Sequence, residues 1–567
     1  MSALAAIDGP KEVSCMNRRS YLGLVCVGAI FTMGCSSSAK PVAGTAGAPG
    51  TAGAPGTAGA AGASGTAGAA GAAGTAGASG ASGPAGASGP AGAGGASASV
   101  LTRNNHETRD GFFVQPRLTK AAAATMALDT TFKATFVGAM WASPLYMENG
   151  PGGKGAFIVA ATNNMVYALD EATGTMVWMH SIGAAPAKSG AGCGNVAPTG
   201  ITSTPVIDGA TRTIYVAGGI GDANGIMRHE VHALDAETGN EKAGWPVNVS
   251  ALTAPGNVAF NTPAENQRGA LSLVNGTLYV PYGGHDGDCN QYRGWVIAIN
   301  VASPTKVAAW ATSGVGEAIW AAGGMASTGD GVFAVTGNNI AGAATHADSE
   351  EVVHVSSAAL VNRATGIFYP GSWRSMDGSD ADFGSSSPVA FQLGGSSTLA
   401  AVTKNGMFFL LDPANLGGVD GQLAKIDLAP ETTPMSIRAV PAAYTSTTGV
   451  HVVLNAGNTT MFCPTGSTGN GTISVAITAG SPPSAKVAWC ASGGSTSPIA
   501  TSTDGKNETV VWYLNGGLNA VDGDTGAKIY AGGTCAGVHQ FSSPIAVKGR
   551  IIVGGDGNLC AWAPATK

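Results

Sequence analysis

The chain has 567 residues, only 11% of them charged, and a formal net charge of −6. No stretch gathers the Lys and Arg needed to neutralise a phosphate backbone, so a nucleic-acid partner is excluded. The 87 glycines fall partly in one low-complexity tract and partly in turns spread through everything after it.

Taken in chain order, the first feature is a targeting signal. Arg18 and Arg19 precede an apolar run, residues 21–33, that ends in Gly34 and Cys35. A short cationic head, a brief apolar segment and a small residue before the cleavage point describe an export signal rather than a membrane span. Residues 1–35 are therefore expected to leave or to be processed. Met16 is the expected start, because Asp8, Lys11 and Glu12 only dilute the cationic head. Cys35, followed by three serines, resembles the end of a bacterial lipobox, with Thr32 where such boxes carry Leu. That resemblance implies a lipid on Cys35, a membrane tether, and a place in the cell envelope at the outer membrane or in the periplasm. The alternative is an ordinary secretory signal cut nearby and an extracellular product. Residues 18–22 also resemble a twin-arginine signal.

Residues 36–100 form the second segment. From Gly44 to Gly92 a glycine falls at every third position. Strict Gly-X-Y is the collagen signature, because only glycine fits the axis of a triple helix. Within the tract, however, the only prolines are Pro49, Pro55, Pro84 and Pro90, and no charged residue replaces them. The expectation is a disordered Gly/Ala-rich tether of roughly 40 Å average span, with a trimerising stalk as the alternative.

The rest, residues 101–567, is dominated by a repeat. An apolar strand ends at Asp170, Thr173-Gly174 follow, and Trp178 lies beyond; Asp235, Thr238-Gly239 and Trp245 repeat the pattern, as do Asp522, Thr525-Gly526 and Tyr530. Degenerate copies end at Asn300 and Asp412. The carboxylate or amide suits the backbone N–H groups of a tight turn, glycine supplies its left-handed residue, and tryptophan fills a wedge between sheets. A paired strand signal precedes each unit. Four short strands per repeat of about 50 residues describe a propeller blade. The units fall at 138–182, 200–249, 266–313, 318–374, 382–429, 437–492 and 494–534, and a final three-stranded one at 538–564. An outer strand from residues 128–136 is expected to complete the last blade. The prediction is an all-β, eight-bladed β-propeller closed by its N-terminal strand, with seven blades as runner-up because 437–492 is the least regular unit.

These units resemble the pyrroloquinoline-quinone (PQQ) propeller repeat. Arg109-Asp110-Gly111, the Trp141–Tyr146 segment, Gln267-Arg268-Gly269, His285-Asp286, Ile319-Trp320, Gly337-Asn338 and residues 380–385 resemble, in order, motifs of one extracytoplasmic subgroup of that family. The resemblance implies the architecture and no established reaction. Quinone-dependent alcohol dehydrogenases sharing the repeat use calcium, an Asp base, a Trp floor and often an adjacent Cys pair. No two cysteines are adjacent here.

Of nine cysteines, Cys15 and Cys26 leave with the signal and Cys35 is set aside for lipid. The even remainder suggests disulfides. Neither CxxC nor CxxCH occurs, which excludes a zinc knuckle and covalent haem. Cys193 with Cys289, Cys463 with Cys490, and Cys535 with Cys560 are the candidate pairs, each within or between neighbouring blades.

The candidate ligand-binding residues are Gln267, Arg268, His285, Asp286, Trp320 and Asn338. Arg268 is read either as a clamp for an anion or as a bridge between blades through carbonyls, and Trp320 as a quinone floor or as inter-blade packing. Asp286, Asp288, Asp380 and Asp382 are candidate oxygen ligands for a divalent cation, against self-satisfied loops and a capped turn. His346 and His354 are read as solvated. The leading reading is a non-catalytic module at the envelope that binds a small molecule or an envelope protein. The alternatives are a quinone-dependent oxidoreductase using PQQ and calcium, and a scaffold in outer-membrane assembly.

Overall fold

Each repeat folds as its residues dictate. The Asp170 carboxylate accepts from the backbone N–H groups of Ala172 and Thr173 and from the Thr173 hydroxyl at 2.8–3.0 Å; Asp235 takes the corresponding three bonds in its turn, and Asp522 the two from backbone N–H groups. Gly239 follows with φ of 75°. A Cβ there would stand 2.6 Å from the indole of Trp178 in the preceding blade, and Trp178 Nε1 donates to the Ala236 carbonyl. Gly526 and Trp489 repeat this contact. The Thr-Gly turn of one sheet is therefore the seat of the previous sheet's tryptophan, and the stacking of blades is written into the motif.

A computed structural model describes residues 98–430, 437, 438, 440–456 and 461–565. The signal segment, Cys35 and almost all of the glycine tract lie outside the described residues. Eight antiparallel sheets ring an axis, an eight-bladed β-propeller as expected. Their inner strands are Leu145–Met147, Val206–Asp208, Ser272–Val274, a single bridge at Ala326, Val389–Leu393, Ala442–Ser446, Ile499–Ser502 and Ile545–Val547. The eighth sheet takes its outer strand from Met126–Leu128, antiparallel to Asn558–Pro564, with Ala134–Thr135 paired further along. This removes the open edge that a linear array would expose. The unit 437–492 is a regular four-stranded sheet. Blade 4 is the irregular one: its outer strand Ile367–Tyr369 is joined by Gly418–Val419 from the next blade.

One element was not foreseen. Residues 100–115 run across the axis and bond to the inner strand of every blade. Val100 pairs with Tyr146, and the carbonyls of Leu101, Glu107, Thr108, Asp110 and Gly111 accept from Ile207, Ser327, Ala390, Ala443 and Ala500. Arg109 reaches blade 3, and Gln115 reaches Ala546 and Gly549 in blade 8. The segment plugs the ring. Val100 is already part of it, so the ring begins slightly before residue 101.

The three disulfides form between Cys193 and Cys289, Cys463 and Cys490, and Cys535 and Cys560, with Cα separations of 5.8, 5.7 and 5.9 Å. His346 and His354 are not solvated as expected. His346 stacks on Tyr369 at 3.6 Å between ring centroids and donates from Nε2 to Ser349 O, and His354 stacks on Phe333. His354 lies in the interior strand Val352–Val355 of blade 4 and His346 in a loop beside it, and in each case an aromatic neighbour covers the imidazole.

Candidate functional site

Polar chemistry collects where the crossovers enter the inner strands. Six of the inner strands are preceded by a proline, and Trp141, Arg438 and Phe541 each stand three residues before theirs. Arg268 and Trp320 occupy comparable places in the two blades without that proline.

Arg268 is the centre of the group. Its guanidinium lies 3.9 Å from the Phe541 ring centroid and 5.5 Å from that of Trp320, a double cation–π arrangement. Among the described residues no acceptor lies within hydrogen-bond reach of it and no carboxylate within ion-pair distance. Asp286 is the nearest source of compensating field; burial pushes the guanidinium down to about 10. Beside it, Trp141 stacks on His539 at 4.1 Å. The concavity in front encloses about 340 Å³ of empty space, open solvent included, and is lined by Trp141, Asn195, Thr199, Asn266, Arg268 and Asp286.

On the other side of Trp320, its Nε1 donates to Asp382 Oδ2 at 2.8 Å. Lys404 Nζ lies 2.6 Å from Asp380 and 3.5 Å from Asp382, and 5.7 Å from the Trp320 centroid. Burial pushes the Asp382 carboxyl up, and Lys404 partly reverses it. Asn338 donates to Asp380 at 2.8 Å. Asn338 Oδ1 and Asp382 Oδ1 are buried with no partner.

The other candidates divide. Gln267 is consumed by structure: it receives the Ser203 hydroxyl and donates to the carbonyls of Gly269 and Pro281. So the blade-bridging role weighed for Arg268 belongs to its neighbour. Asp288 accepts from the Tyr292 hydroxyl, away from Asp380 and Asp382 on their lysine. Among the described residues no three His, Cys, Asp or Glu converge as a metal site requires. His285 is buried, with Nε2 unpartnered, and burial holds its imidazole down to about 4. It is neutral at pH 7, so it offers the concavity a hydrogen-bonding nitrogen and no charge. The Cys193–Cys289 disulfide fixes the wall: Gly194 N donates to Asp286 O at 3.0 Å, and Asn290 holds Ala191 O. Replacing both cysteines by serine is expected to raise amide exchange at Gly194 by more than tenfold, because local opening then no longer strains a cross-link. Unchanged exchange would show that the loops hold themselves.

Sequence reasoning missed Lys404, Trp141, His539 and Phe541. Aligning the repeats on the prolines before the inner strands would have grouped Trp141 with Phe541, and aligning the ends of the second strands would have exposed Lys404.

Residues 42–100 match the collagen triple helix repeat. No curated protein matches the chain by sequence. Among solved structures the chain is similar to a quinohemoprotein alcohol dehydrogenase from Pseudomonas putida, with TM-score 0.55, 14% identity, and 83% of this chain and 81% of that one covered. It is also similar to a europium-containing methanol dehydrogenase, with TM-score 0.52, 13% identity, and coverage of 80% and 89%. A third is the quinohemoprotein alcohol dehydrogenase of Comamonas testosteroni, at 0.51, 15%, 83% and 81%. At these identities the likeness is one of fold, the PQQ-type propeller. The three disulfides fit an exported protein, and among the described residues no helix is long and apolar enough to cross a membrane.

Proposed function

We propose that this ring is an exported binding module, tethered to a membrane through Cys35, that takes a flat anionic small molecule at its crossover mouth. One observation carries the reading: the half-buried Arg268 guanidinium lies against two aromatic rings and, among the described residues, has no carboxylate within ion-pair distance. A cation desolvated in this way gains most from a ligand that brings a carboxylate, and the guanidinium fork suits one bidentately. The faces of Trp320 and Trp141 favour a planar body.

Titration of the purified protein with aromatic carboxylates, followed by Trp fluorescence or calorimetry, tests this. Arg268→Gln is expected to weaken binding by about tenfold or more, the worth of one charge-assisted hydrogen bond. Equal affinity in the variant would refute the assignment.

A second reading is a quinone-dependent oxidoreductase, favoured by the two orphaned oxygens of Asn338 and Asp382 beside Trp320. The residues fit PQQ, with Trp320 as a floor and Arg268 and Lys404 over its ring to meet the carboxylates; Asn338 Oδ1 would offer calcium one hard donor, and Asp382 Oδ1 is left free to act as a base. Bound there, the quinone would supply the two-electron acceptor for an alcohol. Asp382 Oδ1 would then take the hydroxyl proton, while Lys404 and the Trp320 N–H orient the carboxylate. Dye-linked alcohol oxidation after adding PQQ and calcium supports this second reading; tight quinone binding without turnover supports the first.

A further inference from the structure

The plug brings two arginines to the axis, and they differ in a telling way. Arg109 donates every N–H it has. Arg103, 1% exposed, does not. Its Nη groups reach the Phe541 carbonyl and the hydroxyls of Thr204 and Ser543 at 3.3 Å, but its Nε finds no acceptor. No carboxylate pairs with it among the described residues. The charges that bear on it are Arg109 and Arg268, both positive. Phe541 links the two cations, with its ring against the Arg268 guanidinium at 3.9 Å and its carbonyl bonded to Arg103; Arg268 also feels the opposed fields of Asp286 and Arg438.

Arg103 is buried and Arg268 half-buried, so the two like charges repel across a partly dry gap, and Arg103 keeps little of its hydration. An anion arriving at Arg268 relieves both at once. A second negative charge on the same ligand gains again from Arg103, through the field rather than by contact, because Arg103 is sealed under Phe541.

We propose that Arg103 is a selectivity residue for the funnel: linked to half-buried Arg268 through Phe541, it adds a buried positive charge behind the site and makes it prefer a planar dianion, an aromatic dicarboxylate, over a monoanion. This rests on the anion-binding reading and extends it by naming the ligand's charge. Arg103 does not touch the ligand and acts on it through Arg268. The dicarboxylate is preferred to an aryl phosphate because the exposed cation is a planar guanidinium between two flat rings, which matches a carboxylate coplanar with its ring.

The test is calorimetric titration of the full chain with benzoate, isophthalate and phenyl phosphate at one pH and ionic strength. The wild type is expected to bind isophthalate about tenfold more tightly than benzoate, a modest charge–charge difference in a partly screened site. Arg103→Met is expected to shrink that ratio to about threefold or less, and Arg103→Lys to keep it. A wild-type ratio near one, or a ratio unchanged in Arg103→Met, overturns the proposal. Should Arg103→Met fail to fold, the wild-type ratio and its fall with added salt decide on their own. Phenyl phosphate binding in preference to isophthalate overturns the dicarboxylate class. If no anion binds at all, the parent reading fails, and this one with it.

Discussion

Arg109→Met should lower the stability of the ring by about 4 kcal/mol, the range expected when one partner of a buried, fully bonded charge is removed. The side chain is 0% exposed. Its Nε donates to Met325 O at 2.9 Å, one Nη to Thr102 Oγ1 and Arg103 O, and the other to Leu271 O and Ser272 Oγ at 2.8 and 2.6 Å. Those acceptors lie in the plug itself and at the inner strands of blades 3 and 4, so one guanidinium rivets the plug to two sheets. Methionine fills much of the volume and donates nothing, which leaves several buried acceptors unsatisfied. Glu107 near it, at 3.8 Å, would also lose its counter-charge. Denaturant unfolding of wild type and variant measures the difference. A loss below about 1 kcal/mol, the scale of an ordinary surface change, would mean that the plug is an accessory of the ring and not part of its closure.

The reason this residue could be named from sequence but not explained there is instructive. Arg109-Asp110-Gly111 stood out only through resemblance, because its partners Leu271 and Met325 are remote in the chain and nothing local marks them. The blades were legible because their logic is local: Asp170 caps a turn three residues away, and Gly239 must be glycine because a tryptophan sits on it. That an N-terminal strand closes the last blade was legible by subtraction, since the last unit lacked one; the expected residues, 128–136, take in Ala134–Thr135 but only the last residue of Met126–Leu128, where the outer strand forms. Site residues fell between these cases. Trp320 and Arg268 could be seen to open blades, whereas Lys404, which answers Asp380 and Asp382, lies on a different hairpin and reads in isolation as a surface lysine before an Asn-Gly turn. His346 misled for the same reason: the ring that covers it, Tyr369, lies in the later strand Ile367–Tyr369, remote in the chain.

Glu317 gives the clearest pH signature. It is 0% exposed, in a left-handed conformation with φ of 50°. Its oxygens accept from Asn339 Nδ2 at 2.7 Å and Gly314 N at 2.8 Å, with the Asp348 N–H at 3.5 Å, which hold the start of blade 4 against the segment containing Asp348. Burial is the main cause of a carboxyl pushed up to about 7 from 4.5; the bonds from Asn339 and Gly314 oppose it, and the Asp348 charge adds to it. The folded state therefore binds the proton more tightly than the unfolded chain does. The stabilisation from this group is fully present below about pH 4.5 and fades as pH rises through about 7, by about 3 kcal/mol in total at 1.36 kcal/mol per pKa unit. Buried histidines work in the opposite direction, because burial lowers the affinity of His229 and His285 for protons, so the wild-type profile alone would blend the two. Glu317→Gln separates them, since glutamine keeps the shape and both acceptor and donor capacity without ionising. Relative to wild type, the variant should gain about 3 kcal/mol between pH 4.5 and pH 8, read as the pH dependence of the difference in unfolding free energy. A difference that stays flat across that range would place the Glu317 carboxyl near its ordinary value, solvated through an opening that the closed loop does not show.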